Sequence, residues 1–321
     1  MDEKACRIGL AACLLFWSVS WVSAQRPNEQ NTPLRPPRRP DIADVRYGPY
    51  ERNDLDVYLA KSEKPTPLVM FFHGGAWVVG NKYLVPIPLL DACQKAGITV
   101  AAINYRYVSA EVKFPGPFLD AARALQFLRL HAKEYNLNPN AVASTGASAG
   151  ADMSLWLGFH KDLAEPASDD PVKRQSTRIS AVGAMASQTT LDPRVVAKMI
   201  GQAPAVGFAR SFYGLGPDMA TWDSAAKWFD DASAVINVAK DSPPVFLYYS
   251  VPNRPITADT PGGDRVHHPI FGFLLKERMD KLGVECVLRL AEDYAASDHG
   301  NPVSVKVNQD MVDFFLKHFP K

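Results

Sequence analysis

Residues 141–150 read Ala-Val-Ala-Ser-Thr-Gly-Ala-Ser-Ala-Gly: an apolar run, then a serine held between small residues and two glycines. Residues 149–159 follow with helical character, so the segment predicts strand, sharp turn, helix. A Gly146-x-Ser148-x-Gly150 turn in that context is a nucleophile elbow, where the strained bend lifts the hydroxyl out of the backbone path. The plainer alternative is a turn serine that caps a helix. Upstream, the apolar run 68–72 leads into His73-Gly74-Gly75-Ala76-Trp77. Each motif alone occurs by chance. In this order, each after a predicted strand, they point to acyl-transfer chemistry at Ser148, with oxyanion donors from the amides of Gly75, Ala76 and Ala149. Glycines suit such a turn because they let the backbone approach closely and adopt unusual φ/ψ. His73 and Trp77 are expected to shape and pack that turn.

The remaining pattern extends this outward. Strands are predicted at 55–59 (alternating, like a sheet edge), 68–72, 99–105, 141–145, 179–187, 245–250 and 284–290. Helices are predicted at 83–96, 118–135, 149–159, 268–282 and 302–319. Residues 193–230 hold helical pieces broken by Pro204, Gly207, Gly214 and Pro217, and read as a loose insertion. Strands alternating with helices predict an α/β fold, a mostly parallel sheet covered on both faces.

At 321 residues, 47% hydrophobic and with a formal charge of +1, the chain suits one sizeable α/β domain. It offers no charge field for nucleic acid. No CxxC, HExxH, P-loop or dinucleotide fingerprint occurs, and ester hydrolysis through a serine needs no metal or organic cofactor. Lys4 and Arg7 precede the apolar run 8–22, and Val22-Ser23-Ala24 offers a small-residue cleavage site. Residues 1–24 are therefore expected to be a signal peptide, too short in its apolar part for a membrane span, which needs about 20 residues. A Pro/Arg-rich disordered linker is expected over 25–41 and the catalytic domain over 42–321, working in the periplasm or outside the cell. Cys93 and Cys286 remain after cleavage and are read as free buried thiols.

A serine nucleophile needs a base and an orienting acid, in the chain order serine, acid, histidine. His73, His131 and His160 precede the acid region, His267 and His268 open a helix, and His318 lies on the last helix. His299, in the Asp298-His299-Gly300 loop after the last strand, is the base that chain order selects. For the acid, the position after strand 245–250 holds Val251-Pro252-Asn253. Asp264, Asp259 and Asp192 all stay open, whereas Asp298 adjoins the histidine too closely to orient it.

HGGAW, Tyr105-Arg106, the elbow and the DHG histidine together resemble the α/β-hydrolase superfamily. Within it, they are similar to the esterase branch of BD-FAE (feruloyl-esterase-like) and hormone-sensitive-lipase-like carboxylesterases. Tyr47-Gly48, Leu55-Asp56-Val57-Tyr58, Phe114-Pro115 and Asp120 fit the same pattern. The resemblance implies Ser148 as nucleophile and His299 as base. It selects Asp264 as acid, because that residue stands nineteen positions before the helix-closing Gly283. Here a loop of about ten extra residues separates the acid from its strand, and Asn253 occupies the unshifted position. Val266-His267-His268-Pro269 also departs from the family's pattern. The activity implied is cleavage of small-molecule or carbohydrate-linked esters. The alternatives are an aryl formamidase or small amide hydrolase on the same site, or a silent binding protein.

Overall fold

Parallel strands bring residues far apart in sequence to one edge of a sheet, and this chain assembles its site that way. The computed structural model describes residue 36 and residues 38–295 and 303–320. Eight strands, β1 (Ile42–Arg46), β2 (Asp54–Tyr58), β3 (Thr66–Phe72), β4 (Thr99–Ile103), β5 (Leu137–Ala147), β6 (Ala181–Met185), β7 (Val245–Tyr249) and β8 (Cys286–Leu290), form one sheet. Their order is β1-β2-β4-β3-β5-β6-β7-β8. The β1–β2 and β2–β4 pairs are antiparallel and the others parallel.

The helices in chain order are α1 (Ile87–Lys95), α2 (Gly116–Leu130), α3 (Ala149–Phe159), α4 (Pro193–Ile200), α5 (Gln202–Phe208) and α6 (Ala226–Ala232). They continue as α7 (Ala234–Asn237), α8 (Gly262–Val266), α9 (Ile270–Leu282), α10 (Glu292–Ala295) and α11 (Val303–His318). Helices α1 and α11 cover one face over Val69, Phe71, Val100 and Ala143. On the other, α2 and α3 pack over Met70, Phe72, Ile103 and Val142, and α9 packs over Leu247 and Tyr249. Every residue of α3 is buried, Asp152 and Ser154 included.

Three expectations are revised. Strand β2 is not an edge, because β1 pairs outside it. Its alternating aspartates follow the pattern of an edge, yet the buried Lys82 ammonium meets Asp54 at 2.6 Å and Asp56 at 2.7 Å and also pairs with Asp44, so the polar face is held by an internal cation. The helix expected to 135 stops at Leu130, and His131 caps it. The 193–230 stretch is not loose, since it buries Phe212, Trp222 and Phe229 around Trp77 and Tyr213. Gly214 and Pro217 fall between its helical pieces, whereas Pro204 and Gly207 lie within α5, and the buried aromatic rings supply the core contacts.

The chain is engaged before Ile42. Arg38 pairs with Asp91 and donates to the Gln94 side chain at 2.7 Å, and Asp41 accepts from the Leu59 amide at 2.8 Å. The expected signal segment 1–24 lies outside the described residues. Cys93 and Cys286 are both free and buried, as read from the sequence. They belong to cores on opposite faces of the sheet.

Candidate active site

Strands β3 and β5 are hydrogen-bonded neighbours, with Phe72 paired to Gly146 at their carboxyl ends. The His73-Gly74-Gly75 turn and the Ser148 bend therefore leave the sheet side by side. This is where the strand order reverses, the crevice in which open α/β sheets bind ligands. Ser148 adopts φ 52°, ψ −124°, a conformation rare for any residue with a side chain. Its amide donates to the Met185 carbonyl at 2.9 Å, and its carbonyl accepts from Ala151 and Asp152 in the first turn of α3. The bend needs its two glycines for space. A Cβ on Gly150 would overlap the Phe72 carbonyl, and one on Gly146 would strike both that carbonyl and Gly150.

The upstream turn presses against this bend. A Cβ on Gly74 would sit 2.9 Å from the Ala147 carbonyl and 3.6 Å from the Ser148 side chain. Gly75 (φ 111°), Ala76 (φ 50°) and Trp77 (φ 60°) follow with positive φ. Among the described residues the amides of Gly75 and Ala76 donate no hydrogen bond. Ala149 opens α3, where first-turn amides lack helical acceptors. These are the amides that the sequence reading assigns to an oxyanion.

His73 has the structural role expected of it. It is buried and stacked on Tyr105 with ring centroids 4.2 Å apart, and its Nδ1 lies 2.7 Å from the Gly74 carbonyl. Burial drives its pKa down to about 4. Trp77 packs among Phe118, Phe208 and Phe212.

The imidazole beside the serine is His267, whose Nε2 lies 2.9 Å from Ser148 Oγ. Sequence reasoning set His267 aside as a helix opener. His267 does not open α9 but closes the short α8 as its C-cap, which brings it beside Ser148 before α9 begins. The signals available were the extra residues after β7 and the unusual His-His-Pro entry. Burial lowers the pKa of His267, while a hydrogen bond to the Gly263 carbonyl and the Asp264 charge act the other way. His268 instead caps α9: its Nε2 sits 2.8 Å from the Arg254 carbonyl and its Nδ1 accepts from Ile270 at 3.1 Å.

His299 and Asp298 lie outside the described residues. Asp264 is half-buried on α8, three positions before His267. Asn253 and Asp259 are exposed on the loop. Asp192 caps α4 and pairs with Arg194 at 2.7 Å. The other histidines are engaged away from the serine: His131 with Glu134, His160 with Asp231 and His318 with Glu285.

Behind the site lies a carboxyl that the sequence did not flag. Asp152, on the first turns of α3, accepts from Ser187 Oγ at 2.6 Å and from the Gln188 amide at 2.8 Å. Burial, opposed by those two bonds, raises its pKa to about 8. Gln188 Nε2 then donates to the Val266 carbonyl at 3.1 Å, tying the segment that carries His267 to the helix that carries Ser148.

The sheet order, the elbow and the adjoining Gly-Gly turn define an α/β-hydrolase fold. Residues 55–253 match the BD-FAE family model, and the chain belongs to that family. It is similar to "Probable carboxylic ester hydrolase LipM" of Mycobacterium tuberculosis, 28% identical over 64% of this chain and 46% of that protein. It is also similar to the esterase LipC of the same organism, 25% identical over 72% of this chain and 56% of that one. The chain thus spans about half the length of these curated relatives. Among solved structures, a truncated carbohydrate esterase from gut microbiota superposes with a TM-score of 0.66 at 20% identity, covering 86% of this chain and 95% of that one. An acetyl ester-xyloside bifunctional hydrolase from Caldicellulosiruptor lactoaceticus gives 0.61 at 23%, covering 91% and 94%.

Proposed function

We propose that this protein hydrolyses carboxylic esters through an acyl-enzyme on Ser148. The carrying observation is the strained serine at the sheet's reversal point, with an imidazole nitrogen 2.9 Å from its hydroxyl. Ser148 Oγ attacks the ester carbonyl, and the amides of Gly75, Ala76 and Ala149 hold the developing oxyanion. One such donor is worth about 3 kcal/mol to the transition state. The alcohol leaves with a proton supplied by imidazole, and water then releases the acid by the same steps. Two histidines qualify for the proton on different grounds. His299 does so by chain order and family motif, with Asp264 to orient it, and His267 by its reach to Ser148. The curated relatives named as esterases support the reaction class, and membership of the BD-FAE family supports the carbonyl chemistry. Residues 1–24 support export, which the amino-terminal sequence of protein recovered outside the cytoplasm would check: it should begin near Gln25.

Ser148→Ala is expected to abolish hydrolysis of p-nitrophenyl acetate while melting like the wild type. A folded Ser148→Ala variant as active as the wild type would remove the proposal.

A further inference from the structure

An oxyanion donor is worth most when its N–H is aimed before the charge develops. We propose that Arg52 is a positioning residue of the reaction: through the His73 ring it fixes the Gly74–Gly75 peptide plane, whose N–H is the Gly75 donor. This rests on the reading of Ser148 as nucleophile and Gly75 as donor, and deepens it.

A trans peptide unit is planar, with its C=O and N–H pointing opposite ways, so whatever holds the one aims the other. Each expected donor shares its plane with a carbonyl that is engaged. The Ser148 carbonyl, in the plane of the Ala149 amide, accepts from Ala151 and Asp152. The Gly75 carbonyl, in the plane of the Ala76 amide, accepts from Val78 at 2.9 Å and Val79 at 3.1 Å. The Gly74 carbonyl, in the plane of the Gly75 amide, has no backbone donor among the described residues. The His73 ring holds it instead, with Nδ1 at 2.7 Å. Glycine on both sides leaves this plane free to turn over, so it is the one that needs a side chain. Gly80 packs over the contact: a Cβ there would lie 2.6 Å from both the Gly74 oxygen and His73 Nδ1.

A neutral ring donates from Nδ1 in only one tautomer, and Arg52 selects it. A guanidinium only donates, and Arg52 Nη2 lies 3.3 Å from His73 Nε2, which therefore accepts. The ring proton is then on Nδ1, facing a carbonyl that only accepts. Burial, aided by the Arg52 charge and opposed by the Gly74 bond, lowers the pKa of His73 to about 4, so the ring is neutral at pH 7. The guanidinium is itself aimed. It stacks over Tyr107 at 3.7 Å, and its Nε donates to the Tyr105 carbonyl at 2.8 Å. Its Nη2 also reaches the Gly80 carbonyl at 3.2 Å and Asn104 Oδ1 at 3.3 Å. Tyr105 closes the set: its hydroxyl donates to the His73 carbonyl at 2.7 Å, which leaves its oxygen, 3.2 Å from Nδ1, as a second acceptor there. Among the described residues no carboxylate pairs with Arg52, so an ion pair does not account for its place.

The test compares Arg52→Met, His73→Ala, His73→Asn, the Arg52→Met/His73→Asn pair and Ser148→Ala in purified full-length protein, each checked for a wild-type melting curve. The substrate is p-nitrophenyl acetate, and the oxyanion probe is an aryl trifluoromethyl ketone, which Ser148 converts to a tetrahedral alkoxide. Removing one oxyanion donor costs about 100- to 1,000-fold in kcat, so misaiming one through Arg52→Met or His73→Ala is expected to cost at least about fivefold in kcat, with KM little changed. The ketone should lose affinity in parallel. Asn places an N–H where Nδ1–H stands and has no tautomer to select. His73→Asn should therefore be more active than His73→Ala, and Arg52→Met should have no further effect in that background. If His73→Ala does not fold, the effect of Arg52→Met with and without His73→Asn is decisive. If Arg52→Met does not fold, Arg52→Gln, which keeps a polar head but not the fork, stands in. A folded Arg52 variant that loses less than about fivefold in kcat, a loss carried by KM or without a loss of ketone affinity, or the same loss repeated in the His73→Asn background would overturn the assignment. Hydrolysis that survives in Ser148→Ala would instead remove the nucleophile reading itself.

Discussion

A residue with a side chain held at positive φ costs about 1–3 kcal/mol, and Ser148, Ala76 and Trp77 all sit there. The surroundings over-determine them: Gly146 and Gly150 lie against the Phe72 carbonyl, and Trp77 is locked among rings of the 193–230 stretch. Gly150→Ala is therefore expected to destabilise the fold by more than about 3 kcal/mol, seen as a lost or much earlier urea transition. A near-normal midpoint would mean that the elbow relaxes freely. Asp152 makes a second prediction at this scale. The folded protein holds its proton to about pH 8, whereas the unfolded chain releases it near 3.8. Stability from this group is thus full below about 3.8 and falls as pH rises towards 8. Asp152→Asn keeps the acceptor for Ser187 and Gln188, so it should match wild type in melting temperature near pH 3.5 and exceed it by a margin that grows up to pH 9. Equal curves at both pH values would contradict this. The Ser148 bend and the Gly-Gly turn beside it were legible in the sequence because small residues at fixed offsets are required by the bend itself. Asp152 was not, because nothing local distinguishes a buried carboxyl from one on a wet helix face.

At the scale of elements, hydrophobic period located the buried strands well, β3 and β7 above all, since a strand covered on both faces is simply a continuous apolar run. It misread β2, where Asp56 is buried and both aspartates pair with Lys82, far along the chain. It also missed α8, a five-residue turn whose helicity owes nothing to periodicity. The placement of His267 was lost with it. Another long-range device is Arg106 with Asp120, a bidentate pair whose carboxylate also accepts the Arg106 amide at 2.9 Å. Asp120 is almost wholly buried at 3% exposure, so its removal strands a guanidinium and an amide together. Asp120→Ala should cost about 3 kcal/mol in chemical denaturation. A loss under about 0.5 kcal/mol would show that solvent replaces the carboxylate.

Across the whole molecule, two cores on opposite faces of one sheet keep Cys93 and Cys286 apart. Denatured protein lacking residues 1–24 should therefore show two reactive thiols without reductant, and its melting temperature should not respond to dithiothreitol. A reductant-sensitive transition would contradict the arrangement. The sheet also explains why the elbow was legible in the sequence and the approach of His267 to it was not. Elbow and Gly-Gly turn are fixed by neighbouring parallel strands, whereas His267 reaches Ser148 on an insertion whose path only tertiary contacts define. The central claim concerns one hydroxyl, and the most direct measurement is intact mass after fluorophosphonate treatment with peptide mapping of the product. The account predicts a single adduct on the peptide containing Ser148, absent from Ser148→Ala. No adduct, or one on another residue with hydrolysis preserved in the variant, would contradict it.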